Sequence, residues 1–108
     1  MTQNLSAQAL LIIIAPPNLE EILVDLLLLQ KSITGFTSCK VYGHGTRPGA
    51  GKAELSMVEQ VTGRQQRVQF MLHAKLADLH TLLLLLQTKF GATDVHYILQ
   101  PMLELPAI

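Results

Sequence analysis

Apolar residues in the first half of the chain follow two different periods. Residues 9–15 form an unbroken apolar run with several β-branched side chains, which predicts a central strand buried on both faces. Asn18 has the character of an N-cap, and the apolar spacing after it predicts a helix that ends before Gly35. Residues 36–42 predict a second strand. The apolar stripe of the helix consists of Leu19, Ile22, Leu23, Leu26 and Leu29.

The second half of the chain repeats this order. Residues 67–73 alternate between polar and apolar side chains and predict a strand, with a turn at residues 63–66 before it. Residues 75–90 predict a helix that ends at Gly91, and residues 94–100 predict the last strand. The apolar stripe of this second helix consists of Leu76, Leu79, Leu82, Leu83 and Leu86.

The two halves also resemble each other in sequence. Leu76 follows Leu19 by 57 positions, and Gln87 follows Gln30 by the same interval, with a leucine run before each glutamine. Leucine-rich helices can resemble each other by chance, but two consecutive β-α-β units predict a defined fold. We expect residues 1–108 to form one α+β domain, a ferredoxin-like split βαβ sandwich of order βαββαβ, with a four-stranded antiparallel sheet and two helices on one face.

The face of this sheet that the helices leave open is predicted to be apolar. Leu11 and Ile13, or their alternates on the same strand, join Met71 and Ile98 there. The chain is 49% apolar and only 15% charged, and a domain of 108 residues cannot hide so much apolar surface in one core. An exposed apolar sheet face marks an association surface, so we expect copies of the chain to associate.

A glycine-rich loop over residues 43–66 separates the two halves. Loops of this length without elements of their own are usually functional or disordered. Glycines let backbone N–H groups turn toward an anion, and two basic side chains add positive charge, so both phosphate binding and docking of a partner are open for this loop. The candidate ligand-binding residues are Gly43, His44, Gly45, Arg47, Gly49, Gly51 and Lys52 of the loop, with Lys89 near the end of the second predicted helix.

The loop carries neither of the familiar nucleotide-binding fingerprints. A P-loop would need glycine where Thr46 stands and a hydroxyl where Ala53 stands. A dinucleotide-binding fingerprint would need glycine in place of Pro48.

Histidine and cysteine are the candidate metal ligands, although their spacing matches no metal-binding motif. His44 on the loop is the best candidate, with Cys39 on the strand before it, and such residues can also meet across a subunit interface. We expect His73 and His96 to be hydrogen-bonded or solvated residues on strands, and His80 to lie on the exposed side of the second helix.

Charge and composition narrow the function classes. A formal net charge of +0 argues against nucleic acid as a partner, and the single Cys39 excludes an internal disulfide and suits a reducing cytoplasm. The apolar runs fall short of the roughly 20 residues that cross a bilayer, and a signal peptide is not evident, so we expect a cytoplasmic protein without membrane insertion.

No catalytic constellation stands out, and an enzyme is not expected. A dimeric ferredoxin-like enzyme with a pocket between helices and sheet is a third interpretation.

In element order, size and the long loop after the second strand, the chain resembles the PII-like signalling proteins, the family of the nitrogen regulatory protein PII, and within it a bacterial branch suspected of a role beside metal efflux systems. The likeness covers nearly the whole length. It implies a homotrimer whose sheets face the threefold axis and effector sites in the clefts between subunits. It also implies that the loop docks on a target protein, for which a membrane transporter is one candidate. An adenine nucleotide and a divalent metal are the candidate effectors.

Two segments depart from the nitrogen-regulatory pattern. The loop between Gly43 and Gln66 has no tyrosine, so uridylylation is not expected. Residues 87–94 hold a single glycine where those proteins carry a glycine-rich phosphate-binding segment. The alternative function is that of a metal-responsive or metal-tolerance accessory protein, related to the trimeric divalent-cation-tolerance proteins that share this fold.

Overall fold

The computed structural model describes residues 7–44 and 64–103. Four strands and two helices follow the predicted order. The strands are β1 (Gln8–Ala15), β2 (Thr37–His44), β3 (Arg64–Lys75) and β4 (His96–Pro101), and the helices are α1 (Glu20–Leu28) and α2 (Leu76–Phe90).

The strands form one antiparallel sheet in the order β2-β3-β1-β4. Ile13 on the central strand β1 pairs with Phe70 of β3 on one side and with Tyr97 of β4 on the other. Both helices pack on the same face of the sheet, since their buried side chains belong to one cluster with alternate residues of β1 and β3. The α+β fold with a ferredoxin-like arrangement is therefore confirmed.

The core lies between the helices and one face of the sheet. It is apolar throughout, and Phe70 and Ile13 are among its largest fully buried side chains. Its members are Ala9, Leu11, Ile13 and Ala15 of β1, Leu23, Leu26 and Leu27 of α1, Val68, Phe70, Leu72 and Ala74 of β3, and Leu79, Leu82, Leu86 and Phe90 of α2.

The two faces of β1 differ, although its sequence is uniformly apolar. Residues on the helix side are fully buried, and those on the other side are only half-buried in a single chain. Burial on both faces was predicted, so the described chain satisfies that prediction on one face only. The other face of β1 belongs to the open side of the sheet.

The middle strands are longer than the sequence pattern predicted, and the segment between them is shorter. β2 runs to His44 and β3 begins at Arg64, so Gly43, His44 and residues 64–66 belong to strands rather than to the loop or turn predicted for them. Gly43 pairs with Gln65, and His44 pairs with Arg64. Backbone pairing with a neighbouring strand overrides the weak strand preference of glycine and glutamine here. The last strand starts two residues later than predicted, at His96.

The start of α1 also differs from the prediction. A 3₁₀ turn over Pro17–Leu19 precedes the helix, and Leu19, without a side-chain hydrogen bond, takes the N-cap position expected for Asn18. Proline at the start of this turn fixes the backbone in a helical φ one residue earlier than the predicted cap. Asn18 is exposed within the turn.

The buried stripe of α1 consists of Leu23, Leu26 and Leu27, and Leu19 packs at its edge. Ile22 and Leu29 were predicted to belong to it but are exposed. At 3.6 residues per turn these two residues share one flank of the helix, about 100° from the centre of the buried stripe. Hydrophobicity alone does not separate them because the leucine run is continuous.

The second helix agrees with its prediction. Leu79, Leu82 and Leu86 are buried, and the helix ends at Gly91. The backbone of Gly91 is right-handed, with φ −62°, so a left-handed turn is not the reason for glycine. A Cβ at this position would lie 2.6 Å from the carbonyl oxygen of Gln87, and this close approach is what favours glycine. Neither helix within residues 7–44 and 64–103 has the length and hydropathy of a membrane-spanning segment.

Candidate functional site

The face of the sheet opposite the helices carries a regular patch of nine residues, which we call the open-face patch. Its register follows from the pairing of β1 with β3 and β4, because residues paired across an antiparallel sheet point to the same side. The three rows, each read from β3 through β1 to β4, are Gln69, Ile14 and His96; Met71, Ile12 and Ile98; and His73, Leu10 and Gln100.

The apolar residues of this patch form a cross. One arm of the cross follows β1 and consists of the half-buried Leu10, Ile12 and Ile14. The other arm crosses the strands at Ile12 and ends in Met71 and Ile98, which are 37% and 42% exposed. Glutamine and histidine take the four corners, with each type on one diagonal. A centre of aliphatic side chains inside a polar rim is the usual anatomy of a protein–protein interface.

None of the nine patch residues is charged. This is unusual for the solvent side of an antiparallel sheet, which normally alternates between apolar core residues and charged or polar surface residues. None of the described helices covers the patch, since both belong to the core on the other face. The described part of the chain therefore presents an uncharged, largely apolar surface of the kind that marks an association site.

Beyond the end of β1, strands β2 and β3 continue as a two-stranded ribbon. Ala15 pairs with Val68 at the last position of β1, and residues 41–44 pair with residues 64–67 past this point. The ribbon carries the chain to residues 45–63. It places the two ends of that segment side by side, one strand spacing apart.

A polar cluster lies at the base of the ribbon. Arg67 Nη2 is 3.0 Å from Oδ2 of Asp94, in the connection between α2 and β4, and it also donates to Oε1 of Gln65. The Arg67 side chain is only 9% exposed, and its Nε has no hydrogen-bond partner among the described residues. Because Arg67 projects from β3 and Asp94 precedes β4, this ion pair reaches past the end of β1 and ties the ribbon to the α2–β4 connection.

A second side-chain contact joins the two strands of the ribbon farther from β1. The guanidinium carbon of Arg64 lies 4.7 Å from the ring centroid of Tyr42, a cation–π geometry. Arg64 pairs in register with His44, the last residue of β2. The predicted ligand residue His44 is thus held on a paired strand rather than on a loop.

The predicted ligand-binding residues fall in three places. Gly43 and His44 lie on the ribbon, and Lys89 is exposed in the last turn of α2. Gly45, Arg47, Gly49, Gly51 and Lys52 lie outside the described residues. The described members of the set are therefore divided between β2 and α2, and the role of the set in binding stays a prediction.

The predicted metal ligands Cys39 and His44 do not converge within one chain. They are five residues apart on β2, roughly 16 Å at the usual rise of a strand, and an odd separation places them on opposite faces of the sheet. Zinc holds its sulfur and nitrogen ligands at about 2.0–2.3 Å. No group of three or more metal-ligating side chains occurs within residues 7–44 and 64–103. A metal ion that used both residues would have to bind between two copies, and this too stays a prediction.

Sequence reasoning missed the link between Arg67 and Asp94. Arg67 was assigned as one of several polar alternates on a strand, and Asp94 as the first residue of β4. An arginine beside the end of a fully apolar strand could have indicated a buried ion pair, but its acidic partner is 27 residues away, and only the fold brings the two together.

A shallow depression on the surface is lined by Glu20, Glu21, Val24 and Asp25, all from α1. Its carboxylates follow one side of a single helix. It does not lie between the helices and the sheet, where the enzyme interpretation places a pocket, and we assign it no chemistry.

The four-stranded antiparallel sheet, its β2-β3-β1-β4 order and two helices on one face define a small α+β protein of ferredoxin-like arrangement. A family model described as "Protein of unknown function (DUF3240)" matches residues 5–108, and the chain belongs to this DUF3240 family.

A crystal structure of a DUF3240 family protein from Shewanella baltica OS155, at 2.40 Å resolution, is similar to this chain. The TM-score is 0.72, the sequences are 18% identical, and the match covers 95% of this chain and 98% of that one. At this identity the likeness shows the fold alone. A comparison with curated proteins found no match.

Proposed function

We propose that this protein is a small regulatory protein of PII-like type, in which three copies associate through the open-face patch. Each copy then presents its ribbon, and the segment of residues 45–63 beyond it, to a target protein. A small effector binds in the clefts between copies and changes how the ribbon engages the target.

The observation that carries this proposal is the uncharged open-face patch. Five aliphatic side chains in a cross would cost free energy in water, at about 25 cal/mol for each Å² of apolar surface left exposed. Copies that meet through this face remove that surface from water and meet no like charge. Glutamine and histidine at the corners supply both hydrogen-bond donors and acceptors for the rim.

The arrangement of the ribbon supports its role as the signalling arm. It leaves the sheet at the end of β1, and the Arg67–Asp94 ion pair fixes its base to the connection between α2 and β4. An effector that touches this connection, or Lys89 three residues before Ala92 in the last turn of α2, contacts the part of the chain that the ion pair joins to the ribbon. Adenine nucleotides and divalent metals are the candidate effectors, because phosphate would meet lysine and metal would meet His44.

Mass and effector binding together test this proposal. Native mass spectrometry at micromolar concentration is expected to give three times the chain mass of 11.9 kDa. A thermal-shift series with ATP, ADP, Zn²⁺ and Cu²⁺ is expected to contain at least one probe that raises Tm, because a ligand that binds only the folded state stabilises it.

Matched substitutions make the effector test specific. Lys89→Ala is compared with Lys31→Ala, and His44→Ala with His80→Ala, since all four side chains are exposed. The rise in Tm is expected to shrink in Lys89→Ala for a nucleotide, or in His44→Ala for a metal, and to persist in both controls. A monomer, or no rise in Tm with any of the four probes, would contradict the proposal.

A further inference from the structure

We propose that association through the open-face patch is controlled by pH, with His73 and His96 as the sensors, so that the oligomer forms at neutral pH and dissociates in mild acid. This inference rests on the proposed function, because it assumes that the patch is the surface where copies meet. It adds a regulatory property of that surface.

The two histidines occupy opposite corners of the patch. His73 on β3 flanks Leu10, and His96 on β4 flanks Ile14. Both side chains are exposed in a single chain. A second copy that covers the aliphatic cross closely approaches both imidazole rings, because each ring pairs in register with a residue of that cross.

A neutral imidazole suits such a contact, and a protonated one does not. Moving a charged group out of water without a paired opposite charge is costly, and the patch itself contains no carboxylate. Histidine is the side chain whose ordinary pKa, about 6.5, places its charge change near neutral pH. Each imidazole that must be neutral in the interface weakens association about tenfold at one pH unit below its pKa.

Among residues 7–44 and 64–103, the charges near these two histidines do not offer a free counter-charge. Lys75, a cationic side chain, lies two residues after His73 along β3. Near His96 lies Asp94, but Asp94 already pairs with Arg67. Cys39, across the sheet on β2, completes the row that contains His96. Lysine, arginine and carboxylates keep their charge between about pH 5.5 and 7.5, so histidine is the residue type of this face that switches.

The neutrality of the patch is also the reason to name a second copy of this chain as its occupant. A partner with a charged surface would place unpaired charge against aliphatic side chains. An identical copy instead brings an uncharged cross and four corners that can each donate and accept hydrogen bonds.

The test measures mass in solution by sedimentation velocity at micromolar concentration, at about pH 7.5 and about pH 5.5, on either side of the ordinary histidine pKa of about 6.5. The wild-type protein is expected to be oligomeric at the higher pH and to shift to monomer at the lower, with association weakened about a hundredfold per chain if both histidines must be neutral. Circular dichroism at each pH confirms that the monomer is folded.

The decisive variant is His73→Gln with His96→Gln, because glutamine already stands at the other two corners of the patch. It is expected to stay oligomeric at both pH values, whereas the control His80→Gln, on the exposed side of α2, dissociates in acid like the wild type. If the double variant is already monomeric at about pH 7.5, the two single variants replace it, and acid is expected to weaken association of each by about tenfold instead of about a hundredfold, because one histidine remains.

The outcomes separate this inference from the proposed function. A wild-type protein that is oligomeric at both pH values, or a histidine variant that dissociates in acid as the wild type does, overturns the pH inference and leaves the regulator proposal standing. A wild-type protein that is monomeric at both pH values overturns the proposed association itself.

Discussion

Arg67 and Asp94, 27 residues apart in sequence, form an ion pair of 3.0 Å that bridges the end of β1 and joins the β2–β3 ribbon to the α2–β4 connection. The arginine side chain is nine-tenths buried, whereas the aspartate is 27% exposed. The loss of stability therefore depends on which of the two partners is removed. A buried guanidinium without a counter-charge is destabilising, but a partly exposed carboxylate can recover water.

This asymmetry predicts the result of a double-mutant cycle. Asp94→Asn is expected to lower the free energy of unfolding by about 2–4 kcal/mol, and Arg67→Met by only about 1–2 kcal/mol. The double variant is expected to be no less stable than Asp94→Asn alone, because removing the arginine also removes the unpaired charge. Urea unfolding at one fixed protein concentration measures all four proteins. A loss from Asp94→Asn that is no larger than that from Arg67→Met would contradict the predicted asymmetry.

The leucine run of α1 supplies a matched pair of neighbours. Leu27 is 1% exposed and belongs to the core, while Leu28 is 69% exposed. Leu27→Ala is expected to lower the free energy of unfolding by about 2–4 kcal/mol, since it removes buried methyl groups and leaves a cavity. Leu28→Ala is expected to change it by less than about 0.5 kcal/mol. Thermal or urea unfolding of both variants checks this, and equal effects would mean that the helix is rotated about its axis relative to our account.

The orientation of the leucines in α1 shows which features of the fold can be predicted from the sequence and which cannot. Apolar residues recur with the strand period of 2 in residues 67–73 and with the helix period of 3.6 in residues 75–90. The strands, the second helix and the ferredoxin-like order could therefore be predicted. In Leu26-Leu27-Leu28-Leu29 every position has the same hydrophobicity, and the phase of α1 depends on where the preceding 3₁₀ turn ends. That end is set by Pro17 and by tertiary contacts, which a periodicity cannot supply.

The open-face patch and the ribbon could also be predicted from the sequence only in part. Met71 and Ile98 could be placed on the open face from alternation alone. Their position on either side of Ile12, with histidine and glutamine at the corners, depends on strand register and so required the fold. The end of β2 was misplaced because glycine and histidine are weak strand formers, and their pairing with β3 appears only in three dimensions.

Tyr97 on β4 gives a prediction for alkaline pH. Its hydroxyl oxygen is buried and has no hydrogen-bond partner among the described residues, and burial raises the pKa of this phenol above its ordinary value of 10.0. The folded state therefore holds the phenolic proton more tightly than the unfolded state does. Ionisation of Tyr97 therefore leaves the free energy of unfolding unchanged below about pH 10 and lowers it as the pH rises from there through the raised pKa.

Tyr97→Phe is accordingly expected to raise the free energy of unfolding at neutral pH by up to about 1 kcal/mol, because it removes an unsatisfied buried hydroxyl. It should also abolish the highest-pH step of phenolate absorbance in the near ultraviolet. Tyr42→Phe, at an exposed tyrosine, is the control and should leave that step in place. A loss of stability on Tyr97→Phe would indicate that the hydroxyl has a partner after all.

The central claim is that copies of this chain cover the open-face patch, and sedimentation equilibrium of Ile98→Lys beside Leu84→Lys tests it most directly. Both residues have aliphatic side chains that are exposed in a single chain. Ile98 lies in the open-face patch, whereas Leu84 lies on α2, on the other side of the sheet. A lysine in the patch places an unpaired charge in the interface, and one on α2 does not. Our account predicts an oligomer for the wild type and for Leu84→Lys, and a folded monomer for Ile98→Lys. A wild-type monomer, or an Ile98→Lys variant that keeps the wild-type mass, would contradict it.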